Sequence, residues 1–210
     1  MQKKVKGILI KKKIIKENNL YIRILTEHDE ILTGIVYGGN SSKNKSIYQN
    51  GYFLNFIVNN NNRNKPNSII SEIAYPLIGN IINDKYKLQC LASVISIINQ
   101  SIIEGQNIKN IYFILEDFIS IITSNNKWLI FYFIFLFNLL KVIGYQVDYL
   151  SNEKNKYFDL NSLEFSNIKK NNSILFPFNQ ILNKDKIDYR SVEDLFIVFE
   201  AVFKNNHLIN

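Results

Sequence analysis

Residues 128–144, WLIFYFIFLFNLLKVIG, constrain this chain more than any other stretch. From Trp128 to Leu140 every residue except Asn138 is apolar or aromatic. A helix that is apolar all round must be buried all round. Lys127 and Lys141 bracket the run, and Gly144 supplies a left-handed stop behind it. Asn125 or Asn126 is placed to cap its start by accepting from the first free N–H groups. The competing reading is a membrane span. A span needs about 18 or more apolar residues, and this run breaks at Asn138 and Lys141. The stretch therefore predicts a buried central helix around which the second half of the chain wraps.

Isoleucine, asparagine and lysine number 36, 31 and 22 of the 210 residues. That bias resembles translation of an AT-rich genome, so a lysine or an asparagine run carries less information than usual. The three arginines, Arg23, Arg63 and Arg190, carry more. Codon bias acts on the whole chain, yet the charge is uneven. Residues 1–80 hold ten lysines and two arginines against five carboxylates, a net +7, whereas residues 81–210 hold thirteen of each sign. A basic half joined to a neutral half suggests that the first half meets a polyanion. Cys90 is the single cysteine, which excludes an internal disulfide and a cysteine-based zinc finger. The apolar run Ile8–Ile10 is too short for a signal-peptide core. The expected location is the cytoplasm.

The first half reads as short strands separated by turn clusters. They are Val5–Ile15, Leu20–Leu25, Ile31–Tyr37, Gly51–Val58 and Ser68–Ala74. Five strands in about 75 residues fit a small five-stranded barrel of the OB type. Near Tyr75-Pro76 the period becomes helical. Asp84 is placed to cap a helix with Leu88, Leu91, Ile95, Ile98 and Ile102 on one face, and Gly105 follows it. Asn107 is expected to cap a second helix, with Ile111, Leu115, Phe118 and Ile122 inward. Beyond the central helix, YFDLNSLEF suggests a short hairpin, and Phe176–Leu182 and Val192–Phe203 close the chain as helices.

The order of these parts resembles the RecO family of bacterial recombination mediators. The first matching block runs from VKGILIKKK through the TEHDE turn and ILTGIVYGGNSSKNK to Gln49-Asn50-Gly51, which stands at the family's Gln-Pro-Gly-like turn without its proline. The second is Leu139–Val147, LLKVIGYQV, and a weaker third is Leu175-Phe176-Pro177-Phe178. The resemblance implies an N-terminal OB domain, a C-terminal helical domain, and a role in annealing single strands and loading recombinase. The implied partners are single- and double-stranded DNA, a RecR-like protein and the tail of single-strand binding protein, with a nucleoid-associated location. Two departures stand out. Many members hold a four-cysteine zinc site between the Gly-Tyr segment and the last helices, but residues 148–176 contain no Cys and no His. The arginines often found on the family's central helix are replaced by apolar residues around Phe133 to Leu136, which weakens the case for docking that tail. The expected class is α+β: a five-stranded OB-type β-barrel over residues 1–78, then a helical domain over 79–210 with a zinc-less insertion at about 148–176.

A nucleic-acid surface needs cations for phosphates and flat side chains for bases. The candidate contacts are Lys11, Lys12, Lys13, Lys16, Arg23, Lys43, Lys45, Arg63 and Lys65, with Tyr21. Tyr21 and Arg23 share the polar face of their strand by alternation. Tyr37, Tyr48, Tyr52 and Phe53 are further aromatics whose facing depends on strand register. The bland alternative is that the tyrosines plug the barrel and the lysines only solubilise it. Gly38-Gly39 with Ser41 and Ser42 lacks the Lys-Ser/Thr ending of a P-loop and reads as a flexible turn. His28 and His207 are far apart and read as surface residues, and Cys90 reads as core. Glu116-Asp117 and Glu193-Asp194 are sequence neighbours on helices, so they point to different sides and do not form acid/base pairs. No nucleophile has a base partner. The expectation is a protein without catalytic activity, cofactor, metal, small-molecule substrate or membrane association.

Overall fold

A computed structural model describes residues 2–59, 65–184 and 186–207. Arg63 lies outside the described residues, and so does the side chain of His207. The chain is α+β, with an N-terminal five-stranded sheet followed by helices. It forms two compact units, Met1–Ser124 and Asn125–Asn210.

In the first unit the strands are β1 (Gln2–Ile14), β2 (Leu20–Thr26), β3 (Ile31–Val36), β4 (Phe53–Asn59) and β5 (Ser68–Tyr75). Hydrogen-bonded neighbours run β1-β2-β3-β5-β4 and return to β1, so the sheet closes on itself. All pairings are antiparallel except β3 with β5. The long strand β1 makes closure possible by serving two partners. Its first half pairs with β4, from Gln2↔Asn59 to Ile8↔Phe53, and its second half pairs with β2, from Gly7↔Thr26 to Ile14↔Leu20. Gly7 sits where both pairings overlap. A Cβ there would lie 2.6 Å from Ile24 Cγ2 and 2.7 Å from the Leu25 carbonyl oxygen, so only glycine lets the strands approach.

The interior of the closed sheet is filled by Val5, Leu9, Ile22, Ile24, Leu54 and Phe56 among others. The alternation of β2 is the one expected from its sequence: Leu20, Ile22 and Ile24 are buried, while Tyr21 and Arg23 are half-buried. Ile8 and Ile10 have the opposite facing to Leu9 and are buried too. Helix α1 (Lys85–Ser101) packs on β1, following a 3-10 turn at Leu77–Ile81. The expected border at residue 78 marks the change from strand to helix, but the compact unit continues to Ser124. Burial of the outer side of β1 joins strands and helices into one core.

Asp84 caps α1 by accepting from the N–H groups of Tyr86 and Lys87, both at 3.1 Å. Cys90 is buried in this helix, and burial pushes its thiol pKa up to about 12. Helix α2 (Ile111–Ser124) is not capped by Asn107 as expected. Its N-terminus instead meets Asp29, whose carboxylate accepts from the N–H of Asn110 (2.7 Å) and of Tyr112 (2.9 Å). Asn107 donates from its side chain to the His28 carbonyl, 3.1 Å away, and pairs with Glu30 through a single β-bridge. The β2–β3 turn thus supplies the polar groups that start α2. Lys6 adds a second tie, with its ammonium 3.1 Å from Glu116 and 4.7 Å above the Tyr75 ring.

The second unit is built on helix α3 (Trp128–Val142). No residue from Trp128 to Leu140 is exposed, and Phe133, Leu136, Leu139 and Leu140 are fully buried. Asn125 accepts from the Lys127 N–H at 2.7 Å, and Gly144 takes the left-handed φ of 98° behind the helix. The unit also contains a three-stranded antiparallel sheet, ordered β7-β6-β8, made of β6 (Tyr157–Asp159), β7 (Glu164–Ser166) and β8 (Ser173–Leu175). It therefore contains a sheet as well as helices; the hairpin read from YFDLNSLEF is the β6–β7 pair. Helices α4 (Phe178–Asn183) and α5 (Tyr189–His207) complete it.

The region without cysteines is held by aromatic packing. Phe165 lies 5.0 Å from Phe158 and 5.1 Å from Phe176, and Phe176 lies 4.7 Å from Phe178. Asp159 is buried beneath it. Its carboxylate accepts from the Lys170 ammonium, the Asn161 N–H and the Ser162 hydroxyl. Those donors, Lys170 first, hold its pKa below the ordinary carboxylate value. Among the described residues no cluster of His, Cys, Asp and Glu could hold a metal ion. No helix among them is long and apolar enough to cross a membrane.

Candidate nucleic-acid interface

The register of β1 decides which lysines share a face. Pairing shifts between Leu9 and Lys11, so Ile10 is an extra residue in the strand. Such a bulge inverts the facing of everything beyond it. Lys11 consequently pairs with Arg23, and Lys13 with Tyr21, on the outer side of the sheet. Lys12 pairs with Ile22, a residue of the barrel interior. The outer rows continue across β2 to β3 as Lys11–Arg23–Thr33 and Lys13–Tyr21–Ile35.

Lys12 is separated from its two neighbours. Its ammonium donates to the Tyr48 carbonyl (2.6 Å) and to Gln49 Oε1 (2.9 Å), and partial burial pulls its pKa down. It ties the β3–β4 loop to β1. The same loop is joined to Leu9 by two backbone bonds, Gly51 N–H to the Leu9 carbonyl (2.7 Å) and Leu9 N–H to the Tyr52 carbonyl (3.1 Å).

Arg23 is committed as well. Its guanidinium donates to the Asn99 carbonyl (3.0 Å), Asn99 Oδ1 (2.7 Å) and the Ile102 carbonyl (2.9 Å). These acceptors form the last turn of α1 and the residue that follows it. A fixed planar cation suits the free carbonyls and the negative dipole end found there. Thr33, the next residue in the row, donates to Glu104 at 2.9 Å. The Lys11–Arg23–Thr33 row is therefore covered at its β2 and β3 positions by the end of α1 and the turn behind it.

The remaining candidates are open to solvent. Lys11, Lys13, Lys16, Lys43, Lys45 and Lys65 are all exposed. Lys16 lies in the β1–β2 turn, and Lys43 and Lys45 lie in the β3–β4 loop. These two connections meet: the Asn40 N–H donates to the Asn18 carbonyl (2.8 Å), and the Gly38 N–H donates to Asn19 Oδ1 (3.0 Å). The Gly38-Gly39 turn thus joins the two connections, and Gly38 has the left-handed φ of 67°. Glu17, next to Lys16 on the turn, is the one carboxylate between residues 1 and 26.

The aromatics divide sharply. Tyr48 and Phe53 are buried, and Tyr52 packs against the core. Tyr37 is 63% exposed and Tyr21 half-buried. Alternation alone did not reveal this split, because Tyr48 and Tyr52 lie in or beside the loop rather than on a strand. Tyr37, absent from the candidate contacts, directly follows the last residue of β3 and is exposed.

No family model matches the chain. Curated proteins named DNA repair protein RecO do. The one from Rickettsia bellii is 29% identical over 143 residues, which cover 68% of this chain and 58% of the relative. The one from Rickettsia felis is 30% identical over 142 residues, covering 68% and 59%. An uncharacterized protein of Rickettsia prowazekii is 32% identical over 108 residues, 51% of this chain and 93% of that protein. The chain spans a little under three fifths of the length of the RecO relatives it matches. Over about two thirds of its length the chain is thus similar to curated proteins named DNA repair protein RecO.

Proposed function

We propose that the chain acts in DNA repair and recombination by binding single-stranded DNA through its basic N-terminal sheet. The observation that carries this reading is the register of β1, which puts Lys11 and Lys13 on the outer side of the sheet next to Tyr21. Lys16, Lys43 and Lys45 stand on the two connections at the same end. Ordering of the strands as β1-β2-β3-β5-β4 with parallel β3 and β5 supports an OB-type barrel. Such barrels bind oligonucleotides along strands 2 and 3 and the adjoining loops. Lys12 and Arg23 serve the fold in this reading, and the phosphate contacts fall to the exposed lysines.

Phosphate contacts are independent of sequence and sensitive to salt. The test is fluorescence anisotropy of the full chain with a labelled oligonucleotide across a range of salt. Each neutralised phosphate contributes about 0.7 to the log–log slope on a single strand. Lys11→Glu with Lys13→Glu should weaken binding to every sequence and flatten that slope. A slope unaltered by this double change would remove the lysines from the interface.

Annealing of complementary strands and recombinase loading beside a RecR-like protein extend the same reading. A second reading has a specific observation behind it: two of the expected cations, Lys12 and Arg23, are used internally. In that reading the chain docks partner proteins, such as the acidic tail of single-strand binding protein, and contacts DNA weakly. Absence of binding at moderate salt would favour it.

A further inference from the structure

We infer that Tyr37 and Tyr21 form a base-stacking platform that selects nucleic acid with unpaired bases. This rests on the reading of the sheet as a nucleic-acid surface and adds a different contact to it. Phosphate-binding lysines treat single and double strands alike apart from charge density. A stacking platform does not, because the faces of bases in a duplex are already covered.

The geometry comes from register. Tyr21 pairs with Ile35 across β2 and β3, and Tyr37, 63% exposed, follows two residues later, one position past the end of β3. Continuing the β2–β3 register by one residue places Tyr37 diagonal to Tyr21. Residues so related lie about 7–8 Å apart, within reach of aromatic side chains. Lys13 flanks Tyr21 on its other side as its cross-strand partner. Lys16 stands on the β1–β2 turn, whose Asn19 accepts from the N–H of Gly38, the residue after Tyr37. Rings with cations on the adjoining strand and turn form the combination that a single strand requires.

Single exposed tyrosines are common on protein surfaces. Tyr86 and Tyr189 are more exposed than Tyr37, at 74% and 85%. They sit in the first turns of α1 and α5, away from any strand face. Tyr37 differs in its setting. The turn that follows it is held by the Gly38 and Asn40 bonds, and its side chain is open to solvent at the end of β3. The other part of that face is closed by Arg23 and Thr33 reaching to the end of α1. The uncovered part is the row that ends in the two tyrosines.

The experiment compares an oligothymidylate with an abasic chain of equal length, which keeps every phosphate and removes every base. Wild type should bind the oligothymidylate about tenfold more tightly, the effect of stacking one or two bases. Tyr37→Ala should lose most of that preference and leave affinity for the abasic chain unchanged. Tyr37→Phe should keep it, and Tyr86→Ala should behave as wild type. Salt-dependent binding of equal strength to both chains by wild type would overturn the platform while leaving the phosphate reading intact. Failure to bind either chain would overturn both. A Tyr37→Ala loss of equal size on both chains would assign the residue to the fold and not to stacking.

Discussion

Asp29 in the β2–β3 turn caps helix α2 by binding the N–H of Tyr112 in its first turn. One carboxylate oxygen accepts from the Tyr112 N–H at 2.9 Å, and the other accepts from the Asn110 N–H at 2.7 Å. The cap lies 83 residues from the helix it serves. Such a contact stabilises the helix and orients it on the sheet together. Asp29→Ala should cost about 1–2 kcal/mol, the usual range for losing an N-cap. Urea unfolding of the full chain checks this, and Asp29→Asn should recover part of the loss. Lys11 and Lys13 being distant in the fold, oligonucleotide binding should keep its salt slope.

Gly7 gives a second test of how the sheet closes. An added methyl would meet Ile24 and the Leu25 carbonyl at contact distances that must be relieved by moving β2. Gly7→Ala should therefore destabilise by about 1–3 kcal/mol through overpacking. Thermal unfolding is the measurement, with Gly79→Ala as comparison, since a Cβ at Gly79 meets nothing within 4 Å.

Arg23 is among the candidate nucleic-acid contacts by sequence, yet its donors are directed at the end of α1. Arg23→Ala should lower the melting temperature by leaving those carbonyls without their charged partner, at a cost of about 1–3 kcal/mol. Arg23→Lys should not restore it, because an ammonium cannot reproduce the planar fork. The slope of binding against salt should stay at the wild-type value in both variants.

Asp159 gives a prediction in pH. Its pKa is held below the ordinary carboxylate value by Lys170 first, then by the Asn161 N–H. A carboxylate depressed in the folded state stabilises fully above its unfolded pKa. That contribution disappears as pH falls through the lower, folded pKa. Wild type should therefore exceed Asp159→Asn in stability at neutral pH. The difference should start to shrink only below about pH 4, near the unfolded carboxylate pKa. Equilibrium unfolding of both proteins from neutral to acid pH checks it. A constant difference down to strong acid would show that packing, and not charge, sets the role of Asp159.

Much of the architecture was determined by the sequence alone. Alternation of Leu20, Ile22 and Ile24 defines the buried side of β2, because a strand's side-chain period is two. Asp84 before an amphipathic run defines the start of α1, because its carboxylate reaches N–H groups two and three residues on. The apolar run from Trp128 to Leu140, interrupted only at Asn138, defines α3, because such a helix has no side fit for water. Each of these signals acts over a few residues and is written in adjacent letters. The tertiary structure decided what depends on partners far along the chain. A bulge at Ile10 put Lys11 and Lys13 on the outer side beside Arg23 and Tyr21 and left Lys12 to bind the β3–β4 loop, since register and not composition sets facing. Burial of Tyr48 and Phe53, capture of Arg23 by α1 and capping of α2 by Asp29 all join residues separated by dozens of positions. The first unit extends to Ser124 for the same reason: burial of β1 against helices, which no local pattern encodes, decides where a core ends.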